Sequence, residues 1–562
     1  MAFKGGQMNY LERVQEREKE LDLLRIRQDA DRDLLYLAKY VMRDKDKKII
    51  PDIINATLNR PAVFATNVIA AMGKATQQIT IESEDVSFDT HFIEQFGKMV
   101  LMVANQRLRA KGKWPLGAFL DEQLCIRGGF AARVISQKIN GVFVPDITPW
   151  DFRYTTWEND DKGLEYAAYG SNTLRPAALI SAEYGVKVKG QQGLVVDVWD
   201  REHNEVWIDG KVAREQKHSF GFTPVVVRGV PFGSMLQDYN AIEHQYESIF
   251  ALIRDVIPEL NRLLSIMQTL TLKAVKPPMK VKKAGAGKAP KYEDITGMGS
   301  STAMDINEDV APIDYGDAKR AAEMAYGMLD KAIQEGSLNS FDTGTFSQPM
   351  SAIALIQIGE GRDQVFAPRL DTKSAGIEDT LDMVSRQAMK IGGKIKMGQE
   401  GHLSDWDTSK LKGEYTTRVQ YFPKSPQIDM ARFSMAAAVG DLISNRSKRV
   451  EILQREDPDR DEDELRWQQA EELVPAVKLN RIIESLKDMS DRGDETADFE
   501  AELVSAAMGA ELQAMLTLQG GALPTSQKPK GSQMLPAFPT TESQAAKTSS
   551  DLAKTPQMAA GE

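Results

Sequence analysis

The stretch DYNAIEHQYESIFALIRDVIPELNRLLSIMQTLTLKAV, residues 238–275, is the most regular in the chain. Its apolar residues fall at Ile242, Tyr246, Ile249, Ile253, Val256, Leu260, Leu263, Met267 and Leu270, in steps that alternate four and three. That 3.5-residue repeat over four heptads predicts one long helix across 237–275 with a narrow apolar seam. At 1.5 Å per residue such a helix spans roughly 50 Å. Phe250, Ile257 and Leu264 add a second row beside the seam, and Pro258 predicts a kink inside it. The seam can pack within its own subunit or against neighbouring copies; its length and narrowness favour neighbouring copies.

Downstream, Pro277-Pro278 stop the helix. A basic, glycine-rich stretch follows, with Lys276, Lys280, Lys282, Lys283, Lys288 and Lys291 and no acid before Glu293. Short strands fit PMKVKK (278–283) and DVAPIDY (309–315), so 276–316 reads as a small excursion without its own core. A second helix is expected from Asp317 to Ser337, with a face of small residues at Ala318, Ala321, Ala322, Ala325 and Ala332. LNSFDTGTFSQP (338–349) is a polar loop. A third helical stretch, 350–392, contains Gly359, Gly361 and Pro368 and is expected to bend or break midway. YTTRVQYFP (415–423) reads as a strand, 429–516 as wholly helical with loops near Asn445 and Asp457-Pro458, and the Pro/Ser/Thr/Gln/Lys-rich stretch past Gly520 as disordered.

Upstream, 9–45 reads as one or two amphipathic helices dense in alternating charge, and 52–75 as a helical stretch interrupted near Pro61. QITIESE (78–84) alternates as a strand, and 89–111 has helical spacing. From 125 to 230 the texture is strand-like: ARVISQKI (132–139) runs into an Asn140-Gly141 hairpin turn, GLVVDVWD (193–200) and NEVWIDGKVA (204–213) form another hairpin, and TPVVVRGV (223–230) is a short apolar strand. The fold class expected is α+β, predominantly helical.

Composition sets bounds. At 562 residues and about 150 per domain, three or four modules are expected. No apolar run has the length of a membrane span, and the charged segment Glu12–Glu20 is unlike a signal peptide, so synthesis in a cytoplasm is expected. Cys125 stands alone, which excludes an intrachain disulfide; a small buried hydrophobe is its expected role. The net charge of −11 argues against tight gripping of duplex DNA, because phosphate neutralisation supplies most of that affinity.

Catalytic signatures are not found. AGAGKAP (284–290) superficially evokes a phosphate loop, but Lys282 stands where the first glycine belongs and Ala289 where a magnesium-binding hydroxyl is needed. GMG (297–299) lacks the third glycine of a dinucleotide site. His91, His203, His218, His244 and His402 show no helical metal-ligand spacing and no HExxH. The acidic run Asp457–Glu464 lacks an EF-hand's glycine and reads as a solvated helix N-terminus. No enzyme activity and no cofactor are expected.

HSFGFTPVVVRGVPFGS (218–234) leading into the 238–275 stretch, LKAVKPPMKV (272–281) and LISNRSKRVEILQREDPDRDEDELRWQQAEE (442–472), in that order and spacing, resemble portal proteins of tailed double-stranded-DNA bacteriophages over roughly 30–520. The resemblance implies a wing over 1–236, a first stem helix over 237–275, a clip over 276–316, a second stem helix over 317–338, a tunnel loop over 339–349, a long kinked helix and wing strand over 350–428, crown helices over 429–520 and a tail over 521–562. It implies a ring, a dodecamer, at one capsid vertex of the virion, passing DNA in and out. The partners implied are further copies of the chain, the terminase large subunit, head-tail adaptor and tail proteins, major capsid and scaffolding proteins, and double-stranded DNA by weak contact. Asn339, Ser340, Phe341, Asp342, Thr343, Gly344, Thr345, Phe346, Ser347 and Gln348 would face the channel. The six lysines of 276–291 would face the motor, the adaptor or the DNA entrance. The competing readings are another head-tail connector or minor capsid protein, and a nuclease or packaging ATPase; the last needs clustered carboxylates or an intact phosphate loop.

Overall fold

The computed structural model describes residues 9–85, 88–170, 173–236, 238, 241–275, 279–282, 309–312, 318–336, 352–399, 401–422, 426–455 and 458–473. It also describes short helical pieces at 478–479, 482–483, 485–487 and 499–506. The chain divides into two compact units at Asp459/Arg460. In the second, the described residues are helical: α11 (Pro458–Leu473) from Arg460 onward, and the short pieces after it.

The first unit mixes helices and strands. It opens with α1 (Tyr10–Glu20) and α2 (Asp22–Leu35). Pro61 does not interrupt a helix: it occupies the first turn of α3 (Arg60–Gly73), where its missing N–H costs nothing, and 52–59 are not helical. After β1 (Thr76–Glu82) come α4 (Thr90–Ala110) and α5 (Leu116–Ile126). β2 (Gly129–Ile139) and β3 (Val142–Trp150) form the expected hairpin, with both turn residues left-handed, Asn140 at φ 51° and Gly141 at φ 82°.

The next strands are β4 (Thr155–Asp160), β5 (Gly163–Tyr169) and β6 (Leu174–Pro176), followed by α6 (Ala177–Tyr184). β7 (Gln192–Trp199), β8 (His203–Ile208) and β9 (Lys211–Lys217) form a meander. The strand expected over 204–213 is therefore two, folded at Asp209-Gly210, both at positive φ. β10 (Val225–Gly229) closes this region. β4, β5, β7, β8 and β9 lie in that order in one sheet, with β6 paired to β7.

Chain-distant segments complete the body. α9 (Ala352–Ile391) is one helix of 40 residues that continues through Pro368 rather than breaking there. Packing holds the region together, since Phe366, Arg369 and Leu370 around the proline are all buried. Near its middle, Gly376 lets α9 lie against β2: a Cβ there would sit 1.9 Å from Phe130 Cζ. β13 (Lys394–Gln399) and β14 (His402–Asp407) extend a five-stranded sheet in the order β10-β2-β3-β13-β14. β15 (Thr416–Phe422) pairs antiparallel with β1, Ile79 opposite Val419. The largest core gathers Phe64, Phe96, Val100, Leu120, Leu124, Phe130, Leu381 and Val384 between α3, α4, α5, α9 and this sheet. Cys125 is fully buried in it, beside Met72 Sδ at 3.3 Å.

In the stretch expected to be wholly helical, α10 (Pro426–Val439) ends before Gly440, and short turns of helix follow up to Ile452. Among the described residues, no helix is long and apolar enough to cross a membrane, and no group of three or more His, Cys, Asp or Glu could hold a metal ion.

Candidate functional site: a helix–ribbon–helix arm

The expected helix over 237–275 is shorter than its seam. α7 spans Val256–Val275, and 241–255 are a 3-10 turn and irregular turns. Pro258 therefore lies in the first helical turn, not at a kink.

The backbone of 243–249 is bonded elsewhere. Ile249 N–H donates to Cys125 O (2.9 Å) and Glu247 N–H to Phe232 O (2.9 Å). Tyr246 is left-handed, at φ 55°. The buried Arg27 of α2 donates to the carbonyls of Glu243 (2.7 Å), Gln245 (2.6 Å) and Tyr246 (2.9 Å). A helix there would need those same groups.

The seam residues consequently divide. Ile249, Ile253 and Leu260 are buried in the main core of their own subunit, and Ile242 and Tyr246 pack against a neighbouring core cluster. Val256, Leu263, Met267 and Leu270 are half-buried.

From this base an arm leaves and returns. α7 leads to β11 (Met279–Lys282), which pairs antiparallel with β12 (Asp309–Pro312), as the short strands in 278–283 and 309–315 predict. α8 (Ala318–Gly336) runs back along α7. Gly336 at its end meets the start of the arm, because a Cβ there would lie 2.9 Å from Ile253 Cγ2. Asp330 of α8 is ion-paired with Arg60 at the start of α3. Ala322 is buried, as its small-residue face predicts, while Met324 and Met328 are 60% and 69% exposed.

Of the six lysines singled out, Lys280 and Lys282 lie on β11 and are exposed, with Ala311 and Asp309 opposite them in register. Lys276, Lys283, Lys288 and Lys291 lie outside the described residues, and so does the whole loop Asn339–Gln348.

Two features of the arm were not read in the sequence. One is a polar ladder. Asn261, Ser265 and Thr269 are buried on one face of α7. Their side chains accept from the backbone N–H of Leu58 (2.9 Å), Ala56 (2.9 Å) and Ile54 (3.1 Å). The spacing matches: four helical residues rise about 6 Å, and two extended residues about 6.7 Å. The Ser265 and Thr269 hydroxyls donate in turn to the carbonyls four residues back. Alternate side chains of the same segment face the other way, where Thr57 Oγ1 and Asn55 Oδ1 accept from the N–H groups of Tyr40 and Met42. The i, i+4, i+8 recurrence of hydrogen-bonding side chains is the signal that could have found it. The variant Asn261→Ala/Ser265→Ala/Thr269→Val is expected to lose about 3 kcal/mol, at ~1 kcal/mol per bond. Hydrogen exchange of Ile54, Ala56 and Leu58 should accelerate with it, and unchanged exchange would remove the ladder.

The other is a buried ion cluster at the base. Arg254 donates to Asp31 (2.6 Å) and Glu247 (2.5 Å), and Arg27 lies 3.9 Å from Asp31 and 3.5 Å from Glu247. Burial lowers the Arg254 pKa, but its hydrogen bonds to Asp31 and Glu247 outweigh burial and leave it raised. Arg369 of α9 donates to Glu247 O (3.3 Å). The cluster joins α2, the turn before α7, and α9. Its chemistry is structural: two guanidinium groups neutralise two carboxylates and satisfy three carbonyls.

No family model matches the sequence, and no curated protein matches it. Among solved structures, the chain is similar to a component of the neck of an empty gene transfer agent particle, at 12% identity and TM-score 0.37 over 70% of this chain and 89% of that one. It is similar to a component of the native gene transfer agent virion, at 13% identity and TM-score 0.35 over the same shares. It is also similar to a component of the native particle's neck, at 13% and 0.32, again over 70% and 89%.

Proposed function

We propose that the chain is a portal protein of a tailed double-stranded-DNA bacteriophage or phage-like particle, a structural ring through which DNA passes, and not an enzyme. The observation that carries this reading is the arm itself: helix, two-stranded ribbon and returning helix, with a 40-residue helix next among the described elements, rejoining the body. In this reading α7 and α8 are the stem and β11–β12 part of the clip, offering Lys280 and Lys282 to the terminase motor, adaptor or entering DNA. By the same reading, the polar segment Asn339–Gln348 would face the channel. The exposed Met324 and Met328 of α8 suit packing against a neighbouring copy. The acidic body keeps DNA contact weak, as passage requires.

Negative-stain microscopy of the purified chain tests the reading. Rings are the expected result, and a strictly monomeric species at high concentration in every salt condition overturns it. Deleting 340–348 is expected to leave ring assembly intact and impair packaging or DNA retention; unaltered packaging would remove that loop from the channel. Rings that support head–tail joining without DNA passage would favour another head-tail connector.

A further inference from the structure

The turn after α4 carries a concentration of charge that the channel reading does not use. Arg109, Lys111, Lys113 and Trp114 are all exposed, and Trp114 is 78% exposed. The turn is held in place: Gly112 is left-handed at φ 68°, and Lys113 N–H donates to Leu108 O (2.9 Å), closing the helix end. Two carboxylates serve the neighbourhood: Asp197 Oδ2 lies 3.4 Å from Arg133 Nη1, and Asp146 reaches the helix end. Asp146 Oδ1 lies 2.8 Å from Lys111 Nζ and 3.4 Å from Arg107 Nε. Among the described residues, neither Arg109 nor Lys113 has an ion-pair partner within reach. Lys113 also faces Arg133 of β2. Its pKa is lowered, first by partial desolvation, then by Lys111 and Arg133, with Asp146 opposing. Favourable interaction with a helix C-terminus accounts for Arg107 and Arg109. It does not account for Lys113 beyond the cap or for an indole left in water; Arg133 is already partnered, by Asp197 and the Trp199 ring.

We propose that Arg109, Lys113 and Trp114 form a nucleic-acid contact, in which the two cations hold backbone phosphates and the indole stacks on a base or sugar. Unpaired cations beside an exposed aromatic ring are the elements of a sequence-independent contact of this kind. The choice of DNA over an acidic peptide rests on the channel reading, which brings DNA past the protein. On a chain of net charge −11 such a contact is weak and salt-sensitive.

The test is fluorescence anisotropy of full-length protein with a labelled duplex and a labelled single strand of equal length, across a salt series. Arg109→Glu/Lys113→Glu is expected to weaken binding at least about tenfold at low salt and to flatten the log–log salt slope by about two. Trp114→Ala is expected to weaken single-strand binding about fivefold or more. A loss confined to one probe assigns the contact to that form of DNA. All three positions are exposed, so thermal melting should match the parent and separate lost binding from lost fold. Equal DNA binding by parent and charge-reversed protein overturns the proposal, as does preferential binding of polyglutamate at the same ionic strength. Charge-sensitive DNA binding by a chain that forms no rings would leave this contact standing and remove the channel. Rings whose DNA binding ignores these substitutions would do the reverse.

Discussion

Arg27→Met is expected to destabilise the first unit by about 3–5 kcal/mol, the range for breaking a buried ion cluster by removing one member. The guanidinium is nearly inaccessible to solvent and hydrogen-bonds three carbonyls in the turn before α7. Methionine fills the stem's volume but donates nothing, so those carbonyls lose their donor and Asp31 and Glu247 lose one of their two arginine partners. Each unsatisfied buried group adds about 1–3 kcal/mol. Denaturant unfolding followed by tryptophan fluorescence is the measurement. A loss below about 1 kcal/mol would show that water or neighbouring groups replace the arginine, and that Arg27 does not hold the turn. Arg27→Lys is expected to recover only part of the loss, because one ammonium cannot reproduce the fork that reaches three carbonyls.

Gly128→Ala is expected to be at least as damaging, by about 3 kcal/mol or more, or to prevent folding. Gly128 is left-handed at φ 73°, and a Cβ there would sit 1.6 Å from the Tyr246 carbonyl oxygen. Left-handed backbone alone costs alanine about 1–2 kcal/mol; overlap with a main-chain atom that Arg27 also holds adds the rest. Gly210→Ala supplies the control. It shares a positive φ, 79°, but meets nothing within 4 Å, so its cost should stay near the conformational part. Equal losses in the two variants, read by the same denaturation curve, would show that the approach of Tyr246 to Gly128 does not matter.

The two predictions converge on the place where sequence and structure part. The 4-3 recurrence from Ile242 to Leu270 is real, and its apolar residues from Ile249 to Leu260 are buried or half-buried, but periodicity reports only which side chains seek cover. It cannot report that the amides of Glu247 and Ile249 donate to Phe232 and Cys125. A helix and a set of turns can bury the same side chains; the partners of the backbone choose between them. Pro258 is ambiguous for the same reason, since proline suits a first turn as well as it breaks an interior. The ladder on α7 was hidden because Asn, Ser and Thr in a helix read as its solvent side, and only the segment 54–58, some two hundred residues away in sequence, makes that side a buried one.

Local chemistry settled what depends on neighbours in sequence. Asn140-Gly141 closes its hairpin because both residues accept positive φ. α4 follows its apolar spacing, and the ribbon β11–β12 follows two short alternating runs. The order of helix, ribbon, helix and long helix was legible in the sequence, and with it the channel reading. Tertiary structure alone decided where α7 begins, that α9 passes unbroken through Pro368, that β1 pairs with β15, and that Arg27 and Asp31 on a charge-dense helix are buried. Each depends on a group distant in sequence satisfying a backbone bond or a charge, and a one-dimensional pattern carries no record of that partner.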